Sequence, residues 1–195
     1  MRPPLRIAIL ECDTPIESVD RRYNGYYGLF SQLFHECAKS LGLDPETGLD
    51  ITRWDVVHAQ EYPKLEDIDA IVHTGSSKSP EYIIALALQI YLPCRLMRIH
   101  QMHRDIVFNC PTNVIPLGSS SNCAIQGMYR PGKFITVQGH PEFNGFIVSE
   151  VVNKRARAGV FPKELSDDAL ARVELAHDGL DILVVFLRFL LGEIE

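Results

Sequence analysis

Short apolar runs that end abruptly in polar turns place the strongest constraint on the fold of this chain. Residues 5–10 (LRIAIL) run into a polar turn that contains Cys12, and residues 68–73 (IDAIVH) end in the same way at Gly75. Runs of this length bounded by turn residues are typical of buried strands. Between them, the apolar positions of residues 26–41 recur every three or four residues, which predicts an amphipathic helix.

The order of these elements predicts an α/β fold. Residues 49–57 alternate loosely as a further strand, so we expect a mainly parallel sheet flanked by helices. The length suits one domain over residues 1–195. Ligands of such sheets bind at the carboxyl ends of the strands, which makes the turns at Cys12 and Gly75 candidate site loops.

The rest of the chain is predicted to hold short strands and then helices. The predicted strands are residues 96–101, 113–117, 123–127 and 134–138, whose close spacing indicates antiparallel pairing. The predicted helices are residues 82–92, 146–158, 166–177 and 180–191. Ser166 is the expected N-cap of the third of these helices. The last helix is apolar on nearly every face, which favours burial against the sheet over an exposed partner surface.

Composition and charge exclude several kinds of partner. Of the 195 residues, 46% are hydrophobic and 23% are charged, as in ordinary soluble globular proteins. The net charge of −6 and the lack of a basic run argue against a DNA or RNA partner. The start has no signal-peptide core, and residues 180–191 fall short of the roughly 20 residues of a membrane span. We therefore expect a cytosolic protein without a membrane partner.

The cysteines point to neither a metal site nor disulfides. They are far apart in the sequence, with no Cys-x-x-Cys pair and no His pair at zinc spacing. There is also no glycine-rich phosphate loop, so we expect no metal and no cofactor. Most of these thiols are expected to be small buried hydrophobes. The five are Cys12, Cys37, Cys94, Cys110 and Cys123.

The clearest chemical signal lies in residues 134–143 (FITVQGHPEF). A strand would deliver His140 at its carboxyl end, and Pro141 keeps the preceding backbone extended, so that His140 and Glu142 project to the same side. A histidine base oriented by a carboxylate is two thirds of a nucleophilic triad. Taken alone, His-x-Glu is a weak signal, since a surface turn with a solvated glutamate has the same sequence.

In its context the Gly-His-Pro-Glu sequence resembles the triad motif of class I glutamine amidotransferases. Segments similar to stand-alone members of that family are residues 5–10, 24–27, 69–76, 100–105 and 126–129. The resemblance covers both ends of the chain. It implies a flavodoxin-like architecture in which His140 and Glu142 are catalytic and the amide of Gly75 forms the oxyanion hole.

The activity that this resemblance implies is hydrolysis of the glutamine side-chain amide. A thiolate attacks the amide, ammonia leaves, and the glutamyl thioester is hydrolysed. Glutamine would be the ligand, and an acceptor synthetase or another enzyme of a biosynthetic pathway would take the ammonia. The stand-alone relatives suggest a pathway of small nitrogenous, secondary metabolites. His103, Arg104 and Asp105 recur near the family's site, and we expect them to be structural.

The chain departs from the family where the nucleophile belongs. In the family the triad cysteine lies in a G-x-C-x-G-H-Q turn, where a helix N-terminus lowers the thiol pKa. No G-x-C-x-G occurs here, and only residues 76–102 separate the Gly75 turn from His103. The family's strands and helices in that stretch need more than about 30 residues. The architecture is therefore expected to be truncated in the middle, without the nucleophile.

Two other cysteines are candidate substitutes for that nucleophile. Cys94 follows Pro93 and precedes Arg95, which could lower its pKa, although no glycine permits the strained turn. Cys12 follows the first strand and lies on the correct edge of the sheet. Three hypotheses stay open: an impaired family member kept as an accessory or binding protein, an active amidotransferase that uses Cys12 or Cys94, and a shortened gene product.

Overall fold

The elements of the fold alternate between strands and helices in the first half of the chain. The computed structural model describes residues 4–76, 97–103 and 106–194. The strands are β1 (Leu5–Glu11), β2 (Leu49–Asp55), β3 (Ala70–His73), β4 (Ile115–Leu117), β5 (Gly127–Arg130) and β6 (Phe134–Val137). The helices are α1 (Glu17–Tyr23), α2 (Gly25–Ser40), α3 (Pro45–Gly48), α4 (Gly145–Arg157), α5 (Lys163–Arg172) and α6 (Gly179–Leu190), and Leu65–Asp67 form a 3-10 turn.

The strands form two sheets of three. The first is parallel in the order β2-β1-β3, and the second is antiparallel in the order β4-β5-β6. The predicted α/β fold with a parallel sheet flanked by helices is thus confirmed. Parallel pairing brings the carboxyl ends of β1 and β3 to one edge, where the Thr74 amide donates to the Leu10 carbonyl at 3.1 Å.

One hydrophobic core joins the two sheets. Ile7 and Ile9 of β1, Ile135 of β6 and Leu183 and Leu187 of α6 are all 0% exposed and belong to one packed cluster. Helix α6 therefore packs its apolar face into this core, as its sequence predicted, with Ile182, Leu183, Phe186 and Leu187 buried. Its contact with α2 completes this layer.

Two predicted strands differ from the structure. The predicted strand 123–127 is wrong: Cys123 forms a tight turn in which its amide and carbonyl bond those of Ser120, and the strand starts only at Gly127. In the stretch 96–101, the described part forms only a single bridge between His100 and His140. The predicted helix 82–92 lies outside the described residues.

The start of α5 is also different from the prediction. The helix begins at Lys163, with Pro162 at the N-cap position, and it ends at Arg172. Ser166 lies inside the helix, is buried, and its hydroxyl donates to the Pro162 carbonyl at 3.1 Å. The predicted N-cap at Ser166 is wrong because a serine hydroxyl can bond back to the carbonyl four residues earlier within a helix.

The junction of α1 and α2 depends on close backbone contact. Asn24 ends α1 in the left-handed conformation, with φ of 59°, and α2 begins at once. A Cβ added at Gly28 would collide with the Tyr23 carbonyl oxygen. The two helices can therefore pack this closely only because Gly28 has no side chain.

Gly28→Ala is expected to lower the free energy of unfolding by about 1–3 kcal/mol or more, because a main-chain carbonyl cannot rotate away as a side chain can. Urea unfolding followed by circular dichroism measures this. Gly48→Ala is the matched control, since nothing lies within 4 Å of a Cβ at Gly48. Equal stability of the two variants would contradict this account of the junction.

Candidate active site

The His140 and Glu142 side chains form a pair just beyond β6. His140 Nδ1 lies 2.9 Å from Glu142 Oε1, and the Glu142 side chain is only 6% exposed. The same-side projection predicted for these two residues is therefore present. A carboxylate that accepts from Nδ1 fixes the tautomer and leaves Nε2 as the basic nitrogen. Their catalytic roles stay predictions.

Main-chain and ring contacts hold His140 in place. Its amide donates to the His100 carbonyl at 2.8 Å, and its ring stacks on Phe143 with centroids 4.0 Å apart. Phe143 itself is buried in a second apolar cluster with Val148 and Val152 of α4. The histidine is thus positioned by its backbone and its ring face as well as by Glu142.

Gly75 lies against the His140 ring, so the Gly75 turn and the His140 turn meet at one place. A Cβ added at Gly75 would be 3.6 Å from His140 Cε1, which is an ordinary van der Waals distance. An alanine would therefore fit sterically, but its methyl group would occupy the space in front of the imidazole. The role of Gly75 in an oxyanion hole stays a prediction.

Two further glycines let neighbouring segments approach the His140 turn. A Cβ at Gly139 would lie 2.9 Å from Gln101 Nε2 and from Ile99 Cδ1. At Gly179, the first residue of α6, a Cβ would collide with the Pro141 carbonyl oxygen. Sequence reasoning missed Gly179, for which the available signal was a glycine placed directly before an apolar helix.

Histidines surround the pair and are kept neutral by burial. The rings of His100 and His177 stack with centroids 4.5 Å apart. Burial, with the nearby charges of His177, His140 and Arg172, lowers the pKa of His100 to about 4. Burial also lowers the pKa of His177, although the His140 main chain and the Asp178 and Glu142 carboxylates act in the opposite direction. Burial lowers the pKa of His73 as well.

The surroundings of Cys12 disfavour a thiolate. Its Sγ donates to the Leu10 carbonyl at 3.5 Å, while its amide donates to Thr74 Oγ1 at 2.9 Å. Burial raises the pKa of the Cys12 thiol, and the charge of Asp13 raises it further, against the hydrogen bonds from Thr74. Reactive cysteines occupy the opposite, electropositive kind of environment. The other candidate, Cys94, lies outside the described residues.

Two other cysteines, Cys37 and Cys123, are buried in the protein. Burial raises the pKa of Cys37, in the core face of α2, to about 12. Cys123 is buried and its Sγ donates to Gln138 Oε1 at 2.9 Å, two residues before His140. Both fit the expectation of small buried hydrophobes, with Cys123 adding a hydrogen bond behind the site.

A cleft of about 1030 Å³ opens in front of His140. One side is formed by the strand ends and turns of both sheets, and the other by the inner face of α4. The described residues that form it include His73, Gly75, His100, His140, Glu142, Phe143, Val148, Val151, Val152, Lys154, Arg155 and Phe161, and no cysteine is among them. Its volume is at the upper end of the range for small-molecule sites.

Neither a metal centre nor a membrane helix is present in the described ranges. Among residues 4–76, 97–103 and 106–194, no group of three His, Cys, Asp or Glu side chains is placed to hold a metal ion. No helix in this part of the chain is both long enough and apolar enough to cross a bilayer.

Comparison with known proteins finds similar sequences in two yeasts and a plant. The chain is 24% identical over 252 aligned positions to a Schizosaccharomyces pombe protein provisionally named glutamine amidotransferase-like, covering 95% of the chain and 98% of the relative. A Saccharomyces cerevisiae protein with a provisional glutamine amidotransferase name is 37% identical over 54 residues, 28% of the chain and 22% of the relative. Gamma-glutamyl peptidase 3 of Arabidopsis thaliana is 30% identical over 81 residues, 42% of the chain and 32% of the relative. No protein-family model matches the chain.

A solved structure shares the fold. The crystal structure of a glutamine amidotransferase from Thermotoga maritima superposes with a TM-score of 0.60 and covers 95% of this chain and 97% of its own. The sequence identity is 14%, so this likeness establishes the architecture alone.

Because His100 has a pKa near 4 in the folded protein and near 6.5 when unfolded, the unfolded chain binds a proton between these values that the folded protein does not. Stability should therefore be full above about pH 6.5 and fall as the pH approaches 4. In His100→Gln this loss should be smaller, with a remainder from His177 and His73. Urea unfolding at pH 7, 5.5 and 4.5 measures it.

His35→Gln, in α2 and outside the cleft, is the matched control and should keep the wild-type pH dependence. If His100→Gln lost as much stability on acidification as the wild type, the buried neutral histidine would not be the cause.

Proposed function

The chain belongs to the glutamine amidotransferase-like family, and on that premise we propose that it binds the γ-amide of glutamine or of a related γ-glutamyl compound at His140 and hydrolyses it poorly. One observation carries the proposal. The oriented pair of His140 and Glu142 faces a cleft whose described walls contain no cysteine. A base without a nucleophile supports binding much better than turnover.

The chemistry of the pair supports the first half of the proposal. With Glu142 on Nδ1, the free Nε2 of His140 can accept a hydrogen bond from an amide N–H of the ligand. The main chain at Gly75, beside the imidazole, is the candidate donor to the amide oxygen. Glutamine and γ-glutamyl peptides share this amide group, and a gamma-glutamyl peptidase is among the relatives.

The lengths of the aligned chains support the second part of the proposal, which is poor hydrolysis for lack of a nucleophile. The alignment with the S. pombe relative runs over 252 positions, whereas this chain has 195 residues, so part of that relative has no counterpart here. This agrees with the proposed loss of the nucleophile turn between residues 76 and 102. An accessory role beside an acceptor synthetase or another biosynthetic enzyme remains part of the proposal.

A cytosolic location is likewise proposed. The described cysteines, Cys12, Cys37, Cys110 and Cys123, are all free thiols. Free thiols are usual in reducing compartments, whereas secreted domains tend to oxidise theirs.

Ammonia release from glutamine tests the catalytic part of the proposal. The wild-type rate should be close to that of His140→Ala, because loss of one member of a nucleophile–base pair lowers turnover by roughly 10⁴-fold or more. Cys12→Ser and Cys94→Ser should leave the residual rate unchanged. Robust turnover that one of these cysteine substitutions abolishes would establish an active enzyme instead.

Calorimetric titration with glutamine tests the binding part. The wild type should bind, and His140→Ala should bind more weakly, while His58→Ala, outside the cleft, should match the wild type. The absence of glutamine binding by the wild type would refute the proposal as a whole.

A further inference from the structure

The cleft extends from His140 along the inner face of α4. Val148, Val151, Val152 and Arg155 all line it, and their spacing of three and four residues places them on one face of the helix. With a rise of 1.5 Å per residue, Arg155 lies about 10 Å along the axis from Val148. The cleft therefore has an apolar middle and a cationic far end.

Packed side chains connect this face to His140. The His140 ring stacks on Phe143, which belongs to the same apolar cluster as Val148 and Val152. The partly buried Tyr26 also lines the cleft and packs against this apolar cluster. A ligand that reaches from His140 along α4 would meet a continuous wall.

Arg155 is held in position without a carboxylate. Its Nη1 donates to the Met102 carbonyl at 3.5 Å, and its Cζ lies 5.4 Å from the centre of the Phe161 ring. No carboxylate within ion-pair distance of its guanidinium occurs in the described ranges. By contrast, Arg6 pairs with Asp69 and Arg53 with Glu11. A partly buried, pre-positioned guanidinium with unused N–H donors is suited to bind an anion of the ligand.

The other charges of the cleft agree with this assignment. Lys154 adds a second positive charge beside Arg155, whereas Arg172 pairs with Asp168. The acidic residues that line the cleft are Asp13, in the turn after β1, and Glu142, which is paired with His140; neither is in α4. The chain as a whole carries a net charge of −6, so a cationic cleft end is a local feature that would attract an acidic ligand group.

We propose that Arg155 binds the terminal carboxylate of a γ-glutamyl peptide whose γ-amide lies at His140. This inference rests on the proposed function and narrows its ligand from glutamine to a larger acid. The cleft of about 1030 Å³ is far larger than one free amino acid requires. Two extended residues beyond the γ-amide, at roughly 3.5 Å each, span most of the distance along α4. The planar guanidinium can engage such a carboxylate with two parallel hydrogen bonds.

The test compares ligands that differ only in the terminal charge. Calorimetric titrations use the full chain with glutamine, with γ-glutamylglycylglycine, and with the C-terminal amide of that peptide. The wild type should bind the free acid about 10- to 100-fold more tightly than the amide, which is the usual effect of one charged hydrogen-bonded contact. Glutamine has no group that reaches Arg155. The wild type and the Arg155 variants should therefore bind glutamine with equal affinity.

Arg155→Gln should abolish the preference for the free acid and leave glutamine binding unchanged. Arg157→Gln is the matched control, since it removes the same charge from the same turn of α4 at a residue that does not line the cleft. It should keep the full preference. Arg155→Lys, which retains the charge without the fork of donors, should keep a reduced preference. Thermal unfolding of each variant checks that the fold is intact.

The outcomes separate the two proposals. If the wild type binds glutamine but binds the free acid no better than the amide, or if Arg155→Gln keeps the preference, the carboxylate subsite is refuted and the proposed function stands. If the wild type binds none of the three ligands, the proposed function fails and this inference fails with it.

Discussion

Strand β1 is the element on which both halves of the site depend. It pairs in parallel with β2 on one edge and with β3 on the other, and Ile7, Ala8 and Ile9 at its centre are 0% exposed. A strand that is paired on both edges and buried on both faces has a strongly specified register, since a slip of one residue would turn every side chain to the other face. This register fixes the point along the strand direction at which the turn at Thr74 and Gly75 leaves the sheet.

The end of β1 also anchors the first long helix. Glu11 is buried, accepts a hydrogen bond from the Tyr27 amide at 2.8 Å and pairs with Arg53 Nε at 2.6 Å. A buried carboxylate with both oxygens in use costs little, whereas an unpaired one would cost several kcal/mol. Gly25 is required beside it, because its φ of 84° is a left-handed conformation and a Cβ there would lie 2.5 Å from Glu11 Oε1. The sheet edge and the start of α2 are thereby fixed together.

The pair of His140 and Glu142 follows the last strand of the second sheet, and close packing brings this pair to the first sheet. The His140 amide bonds the His100 carbonyl, and the missing side chain of Gly179 allows the start of α6 to touch the Pro141 carbonyl. The stacked rings of His100 and His177 lie beside this turn, and burial lowers the pKa of both. His140 is therefore held from three sides, while the apolar face of α4 leaves a wide cleft in front of it.

The sequence by itself determined the elements with a strong local period and the pairing of His140 with Glu142. Strand β1, helix α2 and helix α6 follow from apolar periodicity, and the two-residue spacing in an extended segment is enough to place both side chains on one side. It could not give the bounds of β5 or the start of α5, because main-chain hydrogen bonding and not residue type decided whether Cys123 would turn and whether Ser166 would cap. Only the tertiary structure revealed the need for Gly179, the histidine stack and the position of Arg155. Each of these joins residues far apart in the sequence, and their proximity arises from packing of the two sheets and α4, which no local pattern records.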